Sequence, residues 1–359
     1  MTVPAKQPSY EAAIADIALN DRSARGRFIV AGRAAVQMLD GILTASVPPG
    51  PASAGPDHRR GRSAYSAVLT PKGRMVTDLR VVRLDTGDSE GSDERLLLDV
   101  PAAGRAPLLA HLGRFLPPRL AKVEDVSGST GLLTVLGPGG PDLVSREALG
   151  LRAEAVTLRG MEEGGYVMVD SGGDEWVLVL RTADVATPAL DVVSDGATIR
   201  GLRTRFLESG VPEVDDAVWE TLRVEAGRPE YGVDMDDETL PVEAGIQARA
   251  IDYQKGCYTG QEVIVRIRDR GRVNRHLRGL RLGDLTPPSR GAEIFAPEKR
   301  GAAAVGALTS AVRSPRSRET LALGYLRREI QPGDRVRVGS PDGAPALVAS
   351  LEEGWGPGG

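Results

Sequence analysis

The chain has 359 residues, 41% of them hydrophobic and 26% charged, with a formal net charge of −4. That length and balance describe a folded protein with room for two or three cores; they exclude wholesale disorder and argue against nucleic acid as the main partner. A single cysteine, Cys257, excludes an intrachain disulfide and any metal or cluster site made of cysteines alone, and the three histidines are scattered.

No apolar run approaches the roughly 20 residues that a membrane-spanning helix needs. The first twenty residues lack the charged segment and continuous apolar core of a secretory leader, so a cytoplasmic location without membrane contact is expected. Lysine occurs only at 6, 72, 122, 255 and 299, which leaves 40 arginines among the 45 basic residues.

Residues 1–8 read as a flexible tail. An amphipathic helix follows, with Tyr10, Ile14 and Ile17 at helical spacing. A strand over 27–31 leads to a helix over 34–39, and the Pro/Gly/Ser/Arg stretch 48–63 reads as a loop. Strands over 64–70 and 74–84 are joined by Pro71-Lys72-Gly73, a turn signal. The acidic stretch 85–94 is a solvated loop before a strand over 95–100. A helix over 107–115 and strands near Lys122 and Leu132 complete the first part. Beyond about 139 come strands at 166–169 and 176–180 and helices at 197–208 and 215–226. Strands with interspersed helices but no strict βαβ repeat indicate an α+β fold. After Gly283 the texture changes to short apolar segments between Gly/Pro turns, the pattern of a small antiparallel barrel or sandwich. The expected division is a body over 9–282, with a change of lobe near 130–140, and a C-terminal β-barrel domain over 283–359 after the linker 283–290.

Three segments carry chemistry. In KGCYTGQE (255–262), Thr259 and Glu262 fit a capping box that starts a helix running to Gly271. Cys257 would then sit before the positive end of that helix, near Lys255, and both features favour a thiolate. A small buried hydrophobe is the alternative for this residue. In WETLRVEAGRP (219–229), Gly227 and Pro229 stop a helix, and Glu225 either faces solvent or accepts paired N–H groups from a ligand edge. In GRMVTDLRVV (73–82), Asp78 is unfavourable within a strand and requires a partner, Arg80 or Arg83, or a purpose. The arginines at 266, 268, 270, 272, 275, 278 and 281 form a basic run with few aromatics, which reads as a solvated face.

KGCYTGQE resembles the signature of the YgfZ family, folate-binding proteins linked to iron–sulfur cluster assembly and repair. LRVEAGRPEYGVD (222–234), LPVEAG (240–245), VGALTSAVRSP (305–315) and LALGYLRRE (321–329) resemble the wider family that includes the glycine-cleavage T-protein. The resemblance covers most of the chain from about Ile29 to Val338. It implies two ferredoxin-like α+β lobes around an opening that binds folate, plus a C-terminal antiparallel β-barrel. It assigns Glu225 to the carboxylate that holds the pterin and Asp78 to the catalytic aspartate. Trp219, Tyr258 and Arg266 become folate-contacting or matching positions. Lys255, Gly256, Cys257, Tyr258, Thr259, Gly260, Gln261 and Glu262 form the signature, with Cys257 as functional thiol and Lys255 beside it. Where the family can carry a further tryptophan near the first strand, the nearest residue here is Arg25.

The function these matches imply is a tetrahydrofolate-binding accessory protein for iron–sulfur cluster assembly or repair, without a permanently bound metal. Its partners would be folate and iron–sulfur enzymes or assembly proteins. A folate-dependent aminomethyltransferase of the T-protein type is the alternative, and a direct RNA-binding module is a third reading that rests on the basic run. Any link to tRNA modification is expected to run through iron–sulfur enzymes, with nucleic acid not bound directly.

Overall fold

The structure is a computed structural model that describes residues 8–86, 93–151, 154–172, 175–351 and 355. The tail expected at 1–8, apart from Pro8, and the centre of the acidic loop 85–94 lie outside these residues. In chain order the elements are α1 (Pro8–Ala15), β1 (Ala18–Asp21), β2 (Gly26–Gly32), α2 (Ala35–Asp40), β3 (Ala52–Ser53), β4 (His58–Arg62), β5 (Ala64–Leu69), β6 (Met75–Arg83) and β7 (Glu94–Val100). They continue with α3 (Arg105–Phe115), β8 (Lys122–Asp125), β9 (Thr130–Leu136), α4 (Gly140–Glu147), α5 (Glu154–Gly160), β10 (Gly165–Gly172), β11 (Glu175–Thr182) and β12 (Ala189–Asp195). Next are α6 (Gly196–Glu208), α7 (Asp216–Glu225), α8 (Gln247–Ala250), α9 (Gln261–Arg270), β13 (Arg275–Arg281) and β14 (Glu293–Phe295). The chain ends with α10 (Pro297–Arg300), β15 (Ala304–Arg313), β16 (Thr320–Arg327), β17 (Arg335–Val338) and β18 (Ala344–Ala349).

Two mixed-order sheets and a barrel organise these elements. One sheet has the order β1-β9-β12-β11-β10-β4-β3, the other β5-β6-β7-β2-β8, and β13–β18 close a six-stranded barrel. The fold is α+β with a C-terminal antiparallel barrel, as the sequence pattern indicates. The two sheets face each other across a shared apolar layer, in which Ile29, Val82 and Leu97 of the five-stranded sheet meet Tyr166, Met168 and Leu178 of the other. Leu39, Leu108 and Leu112 of α2 and α3 cover the outer face of the smaller sheet. Ile199, Leu202 and Phe206 of α6 cover the outer face of the larger one. Each sheet is thus buried on both faces, which explains why β6 is buried from Met75 to Val82 and does not alternate.

Two expectations need correction. The stretch 48–63 is not all loop: β4 pairs with β10 from His58↔Val169 to Arg62↔Gly165, and β3 pairs with β4. An edge strand rich in arginine has no apolar alternation to announce it, because only its backbone is needed by the sheet. The segment 275–281, expected as a solvated basic face ahead of the barrel, is the barrel's first strand, paired with β16 and β18. Leu280 packs into the barrel core and Leu277, on the opposite face of the strand, packs against Val224 of α7, while Arg275, Arg278 and Arg281 are half-buried, so the run of arginines masked a strand buried on both faces.

The barrel is tied to the body through α7. Val224 packs against Leu277, Val312, Leu321, Leu323 and Tyr325. Arg223 donates to Asp234 at 2.6 Å and to Ser310 at 2.8 Å, and Ser310 in turn donates to Asp234 at 2.8 Å. A fully buried ion pair needs this complete a set of partners to be tolerated.

Candidate functional site

A cleft of about 500 Å³, including its open mouth, lies where the two sheets and α7 meet. β6 supplies its floor. Asp78 and Arg80, two residues apart, share one face of that strand. Tyr65 stands opposite Arg80 on β5 and donates its hydroxyl to Asp78 Oδ2 at 2.7 Å. Asp78 is 7% exposed, and its Oδ1 is buried with no hydrogen-bond partner. Burial pushes its carboxyl up to about 6, although the Tyr65 hydrogen bond and Arg25 both pull the other way. The expected salt bridge to Arg80 or Arg83 is not made: Arg80 reaches Asp184 at 3.5 Å and Arg83 pairs with Asp85 at 2.9 Å.

Six arginines line the cleft, at 22, 25, 80, 223, 228 and 249, against three carboxylates, Asp78, Asp184 and Glu230. Some of this charge is compensated by a lattice of ion pairs. Arg25 grips Asp99 through both Nε and Nη2, with a shortest contact of 2.7 Å. Asp184 receives Arg80 at 3.5 Å, Arg249 at 3.4 Å and Arg22 at 3.9 Å. Burial opposes ionisation of Asp184, but Arg80, Arg249, Arg22 and Arg25 together hold it well below the usual carboxylate range. The Arg249 guanidinium also lies 4.4 Å over the Tyr65 ring, which keeps that phenol facing Asp78. Arg22 lies 4.2 Å over the Trp219 ring, and its buried Nη1, without a hydrogen bond, faces Asp191 at 3.7 Å and Asp184 at 3.9 Å. The unpartnered oxygen of Asp78 in this cleft can accept from an N–H or O–H donor.

The cleft gathers Asp78, Trp219 and Arg25. It does not gather the other expected residues. Glu225, six positions beyond Trp219 on α7, is 8% exposed and accepts the Tyr10 hydroxyl on both oxygens at 2.8 Å, together with the Ser314 hydroxyl. Its carboxylate joins α1, α7 and the end of β15, and burial raises its affinity for a proton. It is a fully partnered junction and does not line the cleft.

The segment 255–262 docks on the tip of the β5–β6 hairpin, away from the cleft lining. Lys255 is buried, and its Nζ donates to the carbonyls of Asp40, Leu43 and Ala45 and to the Asp40 carboxylate, all between 2.8 and 3.0 Å. Burial lowers its affinity for a proton, and Asp40 offsets part of that. Its ammonium pins the 40–45 loop and is not available to the thiol. Cys257 is exposed and does not line the cleft. Tyr258 is buried beside Leu69, Met75 and Ile264, with Tyr65 packed on the same cluster; burial pushes its phenol up to about 12. Its hydroxyl has no hydrogen-bond partner.

The capping box is not formed. Gly260 caps α9 with φ +84°, no side chain caps the helix, and the Thr259 amide donates to Gly41. A Cβ on Gly260 would stand 2.6 Å from the Thr70 carbonyl, so close docking on the hairpin decides this residue and delays the helix start. Gln261 donates back to Gly256 at 3.4 Å, and the exposed Glu262 pairs with Arg266 at 2.6 Å, which leaves Arg266 on the outer surface of α9. Gly271 ends α9 as expected, in extended geometry. Among the described residues no group of three or more His, Cys, Asp or Glu gathers to hold a metal ion, and no helix is long and apolar enough to cross a membrane.

Tyr65, Arg22, Asp184 and Arg249 are not singled out by the sequence, and Arg80 is read there only as a salt-bridge partner for Asp78. A chain with 40 arginines hides the few that matter, and only Asp78, an isolated acid in an apolar strand, signals the site.

Paired sheets, a C-terminal barrel and an arginine-lined cleft with one unpartnered carboxylate oxygen define an α+β protein with a polar cleft beside its paired sheets. The chain belongs to the GCVT N-terminal domain family, which matches residues 4–255. It is 29% identical over 267 residues to an aminomethyltransferase of Synechococcus sp. strain WH7803, covering 74% of this chain and 69% of that protein. It is 27% identical over 333 residues to an aminomethyltransferase of Saccharopolyspora erythraea, covering 89% and 82%. Its structure matches the crystal structure of glycine cleavage system aminomethyltransferase T from Bartonella henselae with a TM-score of 0.78 at 20% identity, over 95% of this chain and 87% of that one. The fold is therefore the T-protein fold.

Proposed function

We propose that the chain binds tetrahydrofolate in the arginine-rich cleft and acts as a one-carbon transferase of the aminomethyltransferase kind, with Asp78 as its acid–base group. The observation that carries this reading is the buried, unpaired Oδ1 of Asp78 beside a proton-holding range near 6. The aminomethyltransferase names of the relatives favour it over an iron–sulfur role. The residues fit the ligand. A reduced pteridine carries N–H donors of the kind Asp78 Oδ1 lacks, and the arginines suit the carboxylates of a glutamate tail. Trp219, with Arg22 across its ring, offers a flat wall to an aromatic group.

When bound, tetrahydrofolate supplies the nitrogen that accepts the one-carbon unit. Asp78, mostly ionised at neutral pH, takes up a proton and returns it, and Tyr65 holds its other oxygen in place. Ammonia release from an aminomethylated lipoyl carrier, measured with and without tetrahydrofolate, tests the proposal. Wild type that releases none with folate present refutes it.

A second reading has one observation in its favour: Cys257 is solvent-exposed within an intact KGCYTGQE. A YgfZ-type protein would use that thiol on iron–sulfur enzymes or assembly proteins, sharing any cluster with a partner because one cysteine cannot hold it alone. Cys257→Ala that fully restores iron–sulfur enzyme activity in a deletion strain removes this reading.

A further inference from the structure

A second, wide depression, of about 1150 Å³ including the open solvent above it, lies between α8, α9 and the barrel, outside the cleft. Val242, Ile267 and Val273 give it an apolar side. Over this groove Tyr253 is stacked beneath the Arg268 guanidinium at 5.0 Å. Arg268 is paired with Asp269, through Nε at 2.6 Å and Nη2 at 3.2 Å, and its side chain is 42% exposed. Gln247, also on the lining, keeps a buried Oε1 with no hydrogen-bond partner. Arg272 and Arg328 complete the wall.

These two arginines sit beside the adjoining ends of β13 and β16, where the Arg328 amide donates to the Asn274 carbonyl at 3.0 Å. Neither has a carboxylate partner among the described residues. The one acid on the lining, Glu329, is already taken by Arg300 at 2.5 Å. The surroundings reinforce this charge: residues 261–359 hold 17 basic and 11 acidic side chains, a net +6, whereas 1–260 carries −10.

We propose that this groove binds a free purine nucleoside phosphate. The base stacks on the Tyr253–Arg268 pair, as guanidinium planes and aromatic rings accept nucleobases. An exocyclic N–H of the base donates to Gln247 Oε1, the acceptor that the fold leaves unsatisfied. The phosphate meets Arg272 and Arg328 together. A nucleic-acid strand is disfavoured because three other arginines of the run are committed: Arg266 to Glu262, Arg275 to Glu243 and Arg281 to Glu319. They leave no continuous cationic track for successive backbone phosphates.

Isothermal titration with AMP, adenosine, inorganic phosphate and a ten-nucleotide single-stranded RNA tests this. AMP is expected to bind saturably, with adenosine and phosphate each at least ~10-fold weaker. Arg272→Gln and Arg328→Gln, both at exposed positions, should each weaken AMP by about 10-fold. Gln247→Leu should weaken it by about 3-fold to 10-fold. Unchanged melting temperatures of the two arginine variants exclude misfolding as the cause. No saturable AMP binding up to about 5 mM overturns the proposal. So does phosphate binding as tightly as AMP, which makes the groove a plain anion site, or RNA binding more tightly than AMP.

Discussion

The Tyr65 hydroxyl donates to Asp78 Oδ2 at 2.7 Å, while Asp78 Oδ1 accepts from nothing. The pair explains both the placement of the acid and its cost. In the unfolded chain Asp78 titrates near 3.8, and in the fold burial pushes it up to about 6. Between those values the native state binds more protons than the unfolded one, so stability falls as pH rises through that window, and the penalty persists above it. Asp78→Asn keeps an acceptor for Tyr65 and removes the buried charge. It should be more stable than wild type at pH 8 by about 1–3 kcal/mol, with the difference gone below about pH 4. Denaturant melts at the two pH values check this. Equal stability at pH 8 would mean the charge is compensated. The proposed transfer should fall by ~100-fold or more in the same variant.

Tyr65 acts through Asp78 and is a positioning residue. Tyr65→Phe removes a hydrogen bond that favours the ionised carboxylate, so Asp78 should titrate higher and the rising limb of the activity–pH profile should move toward alkaline pH. Full activity should return once the pH is high enough to ionise the acid. A uniformly depressed profile without that shift would mean Tyr65 only supports the wall.

Lys255 looks catalytic in the sequence, beside the one cysteine, but its ammonium is spent on three carbonyls and a carboxylate. Lys255→Ala should lose about 3 kcal/mol, because it strands buried acceptors of the 40–45 loop. Urea unfolding measures that loss. A variant as stable as wild type but unreactive at Cys257 would restore the chemical role.

Much of the architecture was legible because apolar periodicity follows from burial. The strand around Asp78, the helices at 197–208 and 215–226 and the barrel hairpins are all where that pattern puts them. The misses share a different cause. β4 and β13 are arginine-rich strands held by backbone ladders, so polarity disguises them. The Thr259 capping box fails because Gly260 must fit under Thr70, a contact 190 residues away in the chain that no local rule contains. From the residues alone one position of the cleft stood out, and Trp219 came only with the family resemblance. Asp78 stood out as an acid in an apolar strand, whereas Glu225, equally prominent, is consumed by Tyr10 and Ser314. Long-range partners decide whether a carboxylate is a site or a joint, and sequence spacing does not reveal them.

That joint can be loosened without touching the cleft. Tyr10→Phe removes a hydroxyl that serves both Glu225 oxygens, leaving a buried carboxylate with Ser314 as its hydrogen-bond partner. A stability loss of about 1–2 kcal/mol is expected, along with a further rise in the proton affinity of Glu225. Tetrahydrofolate affinity should stay within about twofold, since the residue lies off the cleft lining. A loss of ~10-fold or more in affinity would return Glu225 to the binding site.

The separation of thiol from cleft is open to a direct chemical test. Cys257 is the sole sulfhydryl and is exposed, so an aromatic disulfide reagent should modify it in the native state without prior unfolding. Because the 255–262 segment rests on the far end of the β5–β6 hairpin, the modified protein should bind tetrahydrofolate within about twofold of the unmodified one. Saturating folate should likewise leave the modification rate unchanged. Protection of the thiol by folate, or loss of folate binding on modification, would show that ligand and sulfur share one site, and the transferase and thiol readings would then have to be joined.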